Sequence, residues 1–307
     1  MYDIIIVGAG PAGLTAALYA RRAEKSVLVI EKDTFGGQIT HSPRVENYPG
    51  FIAMSSNEFA DKLLEQVMAQ GAEIELDAVI GISGEAGDYT VECLGKSYSA
   101  KSVIIATGSH HRMLGIEGEL DFVGEGISYC AVCDGAFYKG KRVAVIGGGN
   151  SALQDAVLLS DSCESVTVVQ NLAFLTGEPR LQKILAGKPN VDFIYSSVVR
   201  AINAQDGNFS GIEIENTESG EKATLSLDGM FVAIGQVPEN EPFRSVSDLN
   251  DYGYIVAGED CVPSGAPGGI FVAGDCRTKS VRQITTATAD GATAALAAIR
   301  FIDNLNA

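Results

Sequence analysis

Two stretches of the chain repeat one pattern of apolar, small and polar residues. Each begins with an unbroken apolar run, at residues 4–7 and 143–146, and continues through a glycine-rich turn. A segment with helical apolar periodicity and a second β-branched run follow, so that the units cover residues 3–31 and 142–170. Continuous β-branched runs are typical of strands buried on both faces. The pattern therefore predicts two strand–turn–helix–strand units.

The turn of each unit has the spacing of a dinucleotide-binding fingerprint. In this fingerprint the first Gly makes the bend, the second lets the backbone approach a pyrophosphate, and the third small residue lets the helix pack on the strand. The phosphate then rests on free N–H groups at the helix N-terminus. One such turn can be no more than a tight bend. Two of them, each after a strand and before a helix, predict an α/β fold with two doubly wound, three-layer Rossmann-like domains. The turns are Gly8-x-Gly10-x-x-Gly13 and Gly147-x-Gly149-x-x-Ala152.

The rest of the chain supplies further strands and a closing helix. Apolar runs at 103–107, 230–234 and 270–273 are each followed by Gly, and they predict three more strands. The Ala-rich segment 283–302 lacks Pro and predicts a helix, whereas the polar stretches 84–95 and 205–219 predict β-meander turns. Gly, Pro and charged residues interrupt the apolar pattern near 110–116 and 237–243, which is where we expect the chain to cross between domains.

Charge and cysteine content exclude several classes of protein. The chain has 22 Lys and Arg against 39 Asp and Glu, a net charge of −17, so we expect it to bind neither nucleic acid nor an anionic membrane. No apolar run approaches the roughly 18 residues of a membrane span. The N-terminal run has no basic leader and breaks at Gly8, and the six cysteines are scattered. We therefore expect a cytoplasmic protein rather than a secreted disulfide scaffold.

Cys130 and Cys133 are the one closely spaced cysteine pair. Cysteines at i and i+3 can close a small disulfide ring, and a helix N-terminus lowers the pKa of a thiol placed there. The alternatives are half of a zinc site and two incidental core cysteines. A zinc site needs two more ligands at matching spacing, and the sequence has no second Cys-x-x-Cys, so we expect no metal. Asp134 follows directly and is a candidate proton donor to a leaving thiolate, or a helix N-cap.

A set of motifs resembles the low-molecular-weight bacterial thioredoxin reductases, in order over essentially the whole chain. Besides the two glycine turns, the matching segments are Gly36-Gly37-Gln38, Glu46-Asn47-Tyr48-Pro49-Gly50, Ala106-Thr107-Gly108, Cys130-Ala131-Val132-Cys133-Asp134-Gly135, Gly274-Asp275 and Arg282-Gln283. The resemblance implies a homodimer, with an FAD domain formed by residues 1–111 and 240–307. It places an inserted NAD(P)-type domain, which carries the cysteine pair, at residues 112–239.

The resemblance also assigns roles to residues. It implies that electrons pass from FAD to a Cys130–Cys133 disulfide and then to thioredoxin, with Asp134 as proton donor. The FAD residues it implies are Gly8, Gly10, Pro11, Ala12, Gly13, Glu31, Lys32, Gly36, Gly37, Gln38, Asn47, Ala106, Thr107, Gly108, Gly274, Asp275, Arg282, Gln283 and Ile284. A second nucleotide would lie on Gly147, Gly149, Asn150, Ser151, Ala152 and Gln170.

The second fingerprint departs from the family at its far end. The same offset of 23 residues separates Gly8 from Glu31 and Gly147 from Gln170. An acid at that position binds a free ribose 2′-OH, which suits FAD. The family's NADPH-dependent members carry His-Arg-Arg-x-x-x-Arg there, whereas this chain has residues 170–176 without an Arg. We therefore expect weak NADPH binding. The donor is left open between NAD(P)H and a ferredoxin or deazaflavin.

Two other functions compete with thioredoxin reduction. The chain could reduce a different dithiol protein, such as a peroxiredoxin partner or a glutaredoxin-like carrier. It could also be a flavin-binding redox sensor that does not turn over. Turnover of a thiol reporter in the presence of thioredoxin separates these possibilities.

Overall fold

The computed structural model describes residues 1–41 and 44–305 and divides them into two compact units. The first unit contains residues 1–40, 44–110 and 237–305, and the second contains residues 111–236. The apolar pattern predicted the second crossing near 237–243, and the resemblance implied a boundary after residue 239, three residues later than in the structure. Glu239 belongs with the first unit because it forms an ion pair with Lys32. The side-chain amide of Asn240 donates to the carbonyls of Gly253 and Cys276 at 2.9 and 2.7 Å, which fixes the following residue to the same unit.

The elements include both of the predicted strand–turn–helix–strand units. Up to the first crossing they are β1 (Tyr2–Val7), α1 (Pro11–Arg22), β2 (Val27–Glu31), β3 (Arg44–Val45), β4 (Met54–Ser55), α2 (Ser56–Ala69), β5 (Glu73–Leu76), β6 (Val79–Glu85), β7 (Asp88–Cys93), β8 (Ser97–Ile105) and β9 (His110–His111). Next come β10 (Ile127–Ser128), α3 (Ala131–Asp134), β11 (Arg142–Ile146), α4 (Asn150–Ser160), β12 (Ser165–Val169), α5 (Pro179–Ala186), β13 (Val191–Ile194), β14 (Ser197–Gln205), β15 (Asn208–Asn216), β16 (Lys222–Ser226) and β17 (Gly229–Val232). The last are β18 (Gln236–Val237), β19 (Ile270–Val272) and α6 (Ile284–Leu305).

The first unit is built on a sheet with the strand order β5-β2-β1-β8-β7-β6, and β19 pairs with β8. Strands β5, β2, β1, β8 and β19 run parallel, whereas β7 and β6 extend the sheet as an antiparallel meander. Alternate side chains of β1 enter different cores. Ile4 and Ile6 pack with Leu14 of α1 and Ala294 of α6, and Ile5 packs on the opposite face of the sheet.

The second unit has a fully parallel sheet in the order β10-β17-β11-β12-β13. Helix α4 covers one face, where Leu153 packs against Val143 and Val145. The other face packs against the antiparallel sheet β14-β15-β16, through side chains such as Ile212. Both units thus have three layers around a parallel sheet, and the predicted fold class is confirmed.

Both fingerprint helices begin earlier than the apolar periodicity suggested. Helix α1 starts at Pro11 rather than Leu14, and α4 starts at Asn150 rather than Leu153. Pro is well suited to a first helical turn because its φ is already helical and its missing N–H would be unpaired there. Among the described residues, no helix combines the length and apolar character that crossing a bilayer requires.

Candidate active site

The residues predicted to bind FAD lie at one edge of the first unit's sheet. Gly8 follows β1, Glu31 ends β2, Ala106 follows β8 and Gly274 comes two residues after β19. These strands run parallel, so their carboxyl ends meet at the same edge. In open α/β sheets this edge is where ligands bind.

The three glycines of the first turn have different surroundings. A Cβ atom on Gly8, whose φ is +108°, would lie 2.4 Å from the carbonyl oxygen of Ala106. A Cβ on Gly13 would lie 1.9 Å from the carbonyl oxygen of Gly8, so helix and strand touch there. A Cβ on Gly10 would meet nothing within 4 Å. Gly8 and Gly13 therefore shape the turn, and Gly10 borders open space next to the start of α1.

Glu31 is buried at the end of β2, and its carboxylate is held by two backbone N–H groups. Ala9 donates to Oε2 at 2.7 Å and Asp33 donates to Oε1 at 2.9 Å. The carboxylate is thus fixed beside the glycine turn, where it can accept a further bond from a ribose hydroxyl. Lys32, also predicted to bind FAD, is not held at the glycine turn in this way: its side chain is exposed and forms an ion pair with Glu239.

Other predicted FAD residues form a second set of contacts in the first unit. The side-chain amide of Asn47 donates to Oε1 of Gln283 at 3.1 Å, which joins two residues separated by 236 positions. Thr107 donates to Oδ1 of Asn240 at 3.1 Å. Pro11 and Ala12 open α1, Gly36 precedes the 3-10 helix that begins with Gly37 and Gln38, Gly108 has a φ of +69°, and Ile284 opens α6.

Asp275 and Arg282 each have a buried polar atom without a hydrogen-bond partner. Oδ1 of Asp275 and Nε of Arg282 each lack a hydrogen bond. Burial raises the pKa of Asp275 to about 6, partly offset by the nearby Lys279 and Arg282 charges. The Arg282 guanidinium stacks 4.3 Å from the ring centroid of Tyr254. Unpaired buried polar groups are costly, so these atoms fit a polar ligand such as the flavin and ribityl part of FAD.

The sequence analysis missed three charged residues next to Asp275. Arg277, Lys279 and Asp290 have side chains that are 10% exposed or less, and they pair with one another. The only signal in the sequence was their charge within a glycine-rich loop and an alanine-rich helix. Nothing in the periodicity indicated that α6 would turn Asp290 toward the loop.

The redox pair lies at the carboxyl edge of the second unit's sheet. The chain leaves β10 at Ser128, and Cys130 precedes the short helix α3 that contains Cys133. The two cysteines form a disulfide with their Cα atoms 5.2 Å apart, as predicted. The backbone N–H of Cys133 donates to Sγ of Cys130 at 3.2 Å. Val132 between them is 58% exposed, so this loop is accessible to a macromolecule.

Asp134 is buried beside the disulfide and contacts Ser128. The Ser128 hydroxyl donates to Oδ2 of Asp134 at 2.6 Å and accepts from the backbone N–H of Cys130 at 3.1 Å. Ser128 therefore connects the carboxylate to the first residue of the disulfide loop. The sequence analysis missed Ser128, which sits two residues before the pair.

The second glycine turn is covered by its own loop. The backbone N–H groups of Thr176 and Gly177 both donate to the carbonyl of Gly148 at 2.9 Å. A Cβ on Gly148 would lie 2.5 Å from Cδ of Gln170, and a Cβ on Gly177 would lie 3.1 Å from the carbonyl carbon of Gly149. The loop that follows β12 thus packs directly on the turn.

Side chains fasten this loop at both of its ends. Gln170 is buried; it accepts from the N–H of Asn171 and donates to the carbonyl of Phe174, both at 3.2 Å. Asn150 at the start of α4 accepts from the N–H of Glu178 at 2.7 Å and donates to its carboxylate at 3.4 Å. A negative charge therefore lies at the helix end where a pyrophosphate would bind.

The side chain of Phe174, which lies in the same loop, does not cover the turn, because it is 62% exposed. The turn is instead covered by Gln170 and by the backbone at residues 176–177. Ser151 is exposed and Ala152 is buried against the strand. Arg180, the nearest cation in the sequence, lies exposed on α5.

Comparisons with known proteins agree with this geometry. The family model described as pyridine nucleotide-disulphide oxidoreductase matches residues 2–291. The chain is 39% identical over 305 residues to a thioredoxin reductase of Bacillus subtilis, covering 99% of this chain and 96% of that protein. It is 40% identical over 305 residues to one of Listeria monocytogenes, covering 99% and 95%. The crystal structure of a thioredoxin reductase from Streptococcus pyogenes superimposes with a TM-score of 0.93 at 38% identity, covering 99% of both chains.

Proposed function

The chain belongs to the pyridine nucleotide-disulphide oxidoreductase family, within the low-molecular-weight bacterial thioredoxin reductases, and from this we propose that it is an FAD-dependent thioredoxin-disulfide reductase. We also propose, on separate grounds given below, that its electron donor is not NADPH. The Cys130–Cys133 disulfide of the second unit is the group that, once reduced, would pass electrons to thioredoxin. The free thiols of the four remaining cysteines, all buried, suit the reducing cytoplasm.

The disulfide with its neighbouring carboxylate is the observation that carries the proposal. Cys130 and Cys133 are bonded in a partly exposed loop, and Asp134 lies buried beside them. A buried carboxylate held by the Ser128 hydroxyl is placed to move a proton at a sulfur atom. A purely structural disulfide has no need of this group.

The reaction balances over the two sulfur atoms. Two electrons and two protons break the Cys130–Cys133 bond and give two thiols. One of them, as a thiolate, attacks the thioredoxin disulfide, which forms a mixed disulfide and frees one thioredoxin thiol. The other cysteine then attacks the enzyme sulfur of the mixed disulfide, so that the Cys130–Cys133 bond re-forms and thioredoxin leaves as a dithiol. The N–H of Cys133 stabilises negative charge on Sγ of Cys130, and Asp134 is the group that would return a proton to a departing sulfur.

The first unit offers a site that fits FAD. Gly10 would face the pyrophosphate, Glu31 would hold the adenosine ribose, and Asp275 and Arg282 would meet the polar part nearer the flavin. Bound FAD would supply the two-electron relay between the donor and the disulfide. The role of the chain is to orient it through these four residues and the Asn47–Gln283 pair.

The loop on the second glycine turn supports a donor other than NADPH. A 2′-phosphate needs cations near Gln170, but this side chain binds its own loop and the following residues 171–176 carry no Arg. Glu178 adds a negative charge beside Asn150. We infer that the electrons come from NADH, a reduced ferredoxin or a deazaflavin. NADH would require the loop to open from the turn, whereas with either of the other two donors the turn would serve the packing of α4 on its sheet.

A donor-independent assay tests the function. The FAD-loaded protein is reduced by light and a sacrificial amine under argon, mixed with an oxidised bacterial thioredoxin, and the thioredoxin thiols are counted. We expect two thiols per thioredoxin with the native chain and none with Cys130→Ser or Cys133→Ser. Cys163→Ser is the matched control and keeps the activity, because Cys163 is buried and lies outside the disulfide.

The same assay separates the competing functions. Reduction of a glutaredoxin-like protein or a peroxiredoxin partner, but not of thioredoxin, would assign a different dithiol substrate. Reduction of none of these proteins by the fully reduced enzyme would point to a flavin redox sensor.

A further inference from the structure

A cluster of buried charges lies beneath the turn that carries Asp275. It consists of Arg277 and Lys279 on the loop after β19 and Asp290 on α6. The side chains of Arg277 and Lys279 are each 7% exposed, and that of Asp290 is 10% exposed. Charges this deep are retained only when they are paired, so the cluster has a defined arrangement.

The Asp290 carboxylate is the centre of the cluster and accepts four bonds. Arg277 forms a bidentate pair with it at 2.9 and 2.8 Å. Lys279 donates to Oδ2 at 2.9 Å, and the backbone N–H of Gly274 donates to the same oxygen at 3.0 Å. The turn before Asp275 is thereby tied to the middle of α6.

The cluster contains one more positive charge than is required to balance Asp290. The bidentate bond to Arg277 already balances the charge of Asp290 and ties the loop to the helix. Lys279 adds a second positive charge, and its Nζ lies 3.9 Å from Oδ1 of Asp275. That oxygen is buried and lacks a hydrogen-bond partner. Together the two cations and Asp290 have a net charge of +1, which favours an ionised Asp275 beside them.

We propose that Lys279 is a positioning residue of the FAD site: held by Asp290, its ammonium group keeps Asp275 ionised and available to accept a hydrogen bond from the cofactor. This inference rests on the proposed function, because it assumes that Asp275 contacts FAD. An ionised carboxylate accepts stronger hydrogen bonds than a neutral carboxyl, so the charge state of Asp275 would set part of the affinity for FAD.

The groups around Asp275 support this role for Lys279. Burial raises the pKa of Asp275 to about 6; among the nearby charges Lys279 and then Arg282 lower it most, Arg277 lowers it less, and Asp290 raises it. Tyr254 and Cys276 also lie close, but burial raises the pKa of both, so they stay neutral near pH 7. An opposite charge at about 4–6 Å lowers a carboxyl pKa by about 1–3 units. Without Lys279, the pKa of Asp275 would therefore be higher and more of the carboxyl would be protonated at neutral pH.

The test is the pH dependence of FAD binding to the apoprotein. FAD is titrated into native and Lys279→Met protein between pH 5.5 and 9 and followed by quenching of its fluorescence. In the native chain we expect the affinity to rise through about pH 6 and then level off. In Lys279→Met the rise should move up by about 1–3 pH units, so that affinity at pH 7 falls several-fold or more and recovers at pH 9. Lys279→Arg keeps the cation and should restore the native profile.

A second pair of variants keeps the proposal testable if Lys279→Met does not fold. Lys279→Gln is polar and should show the same displaced profile. In Asp275→Asn the titrating group is gone, so the affinity for FAD should no longer rise with pH. In the double variant Asp275→Asn with Lys279→Gln, the affinity should differ from that of Asp275→Asn by less than about threefold.

The outcomes are distinguishable. An unchanged pH midpoint in Lys279→Met or Lys279→Gln would overturn this inference alone, and so would an equal loss of affinity at every pH, which indicates a merely structural role. A native chain that takes up no FAD at any pH would contradict the proposed function as well.

Discussion

The Ser128 hydroxyl donates a 2.6 Å hydrogen bond to Oδ2 of Asp134, and its oxygen accepts from the N–H of Cys130. Ser128 ends β10, the edge strand of the parallel sheet, and Asp134 ends the short helix α3. The disulfide loop lies between them. One serine thus links the carboxylate to the backbone of Cys130, and the proposed proton-donor role of Asp134 depends on this link.

Replacing Asp134 tests this arrangement. Asp134→Asn keeps an oxygen that can accept from Ser128 but removes the carboxyl group that can gain and lose a proton. General acid–base groups contribute about 10²–10⁴-fold, so we expect transfer from the reduced enzyme to thioredoxin to slow by about 10²-fold or more in stopped-flow measurements. Ser128→Ala keeps the carboxylate but removes the hydrogen bond that holds it, and it should slow the same step by less, about tenfold. Equal rates for native and Asp134→Asn protein would remove Asp134 from the mechanism.

Substitutions of Gly13 and Gly10 in the first turn should have different effects on stability and on FAD binding. Gly13→Ala places a Cβ 1.9 Å from a backbone oxygen, so it should lower the free energy of unfolding of the apoprotein by several kcal/mol. Gly10→Ala meets nothing within 4 Å and should cost about 1 kcal/mol or less as a helix N-cap change. FAD affinity of Gly10→Ala should nevertheless fall at least about tenfold. Urea unfolding and FAD titration of both variants check this, and tight FAD binding by Gly10→Ala would move the cofactor away from the turn.

The repeated units were predictable because their signal is local. Each strand, turn and helix follows within about 30 residues, and the glycine spacing reports contacts between chain neighbours, such as the touch between Gly13 and Gly8. The disulfide was predictable for the same reason, since three positions separate its cysteines.

The missed features depend on contacts that no local pattern encodes. Asp290 reaches Arg277 because α6 packs closely on α1, where a Cβ on Gly291 would lie 2.2 Å from the carbonyl oxygen of Ala12. The loop on Gly148 is held by the backbone N–H groups of Thr176 and Gly177. Almost every residue type has a backbone N–H group, so these bonds leave no signal in the sequence. The missing Arg residues could be read from the sequence, but the covering of the turn could not.

Asp155 on α4 makes the stability of the protein depend on pH. Burial raises its pKa to about 7 in the folded chain, from 3.8. The folded state therefore binds more protons than the unfolded state between these values, and stability falls as pH rises from about 4 to about 7. Asp155→Asn removes this loss. The difference in free energy of unfolding between Asp155→Asn and the native protein should therefore favour the variant by about 2 kcal/mol more at pH 8.5 than at pH 5.5. Denaturant unfolding at the two pH values measures it; a gain independent of pH would show that Asp155 is ionised throughout.

NADPH should be a poor donor for the native chain. Each missing charge-assisted bond to the 2′-phosphate costs about 1.5–3 kcal/mol, and about 1.4 kcal/mol is a factor of ten. We expect half-bleaching of the flavin to need at least about tenfold more NADPH than in Arg-bearing relatives. Asn171 and Leu172 are both exposed, so Asn171→Arg with Leu172→Arg should recover about tenfold if the loop can open.

The neutral pair Asn171→Gln with Leu172→Gln is the matched control and should recover nothing. Rapid bleaching of native protein at low micromolar NADPH would show that another cation, such as Arg180, holds the phosphate.

An anaerobic reductive titration tests the central claim most directly. Dithionite is added to the FAD-loaded protein while the flavin absorbance is followed, and oxidised thioredoxin is then added. A flavin and a redox-active Cys130–Cys133 disulfide together predict an uptake of four electrons per FAD by the native chain and of two by Cys130→Ser. When thioredoxin is added, the flavin absorbance should return in the native protein and not in Cys130→Ser. Uptake of two electrons by the native chain, or no transfer to thioredoxin, would contradict the account.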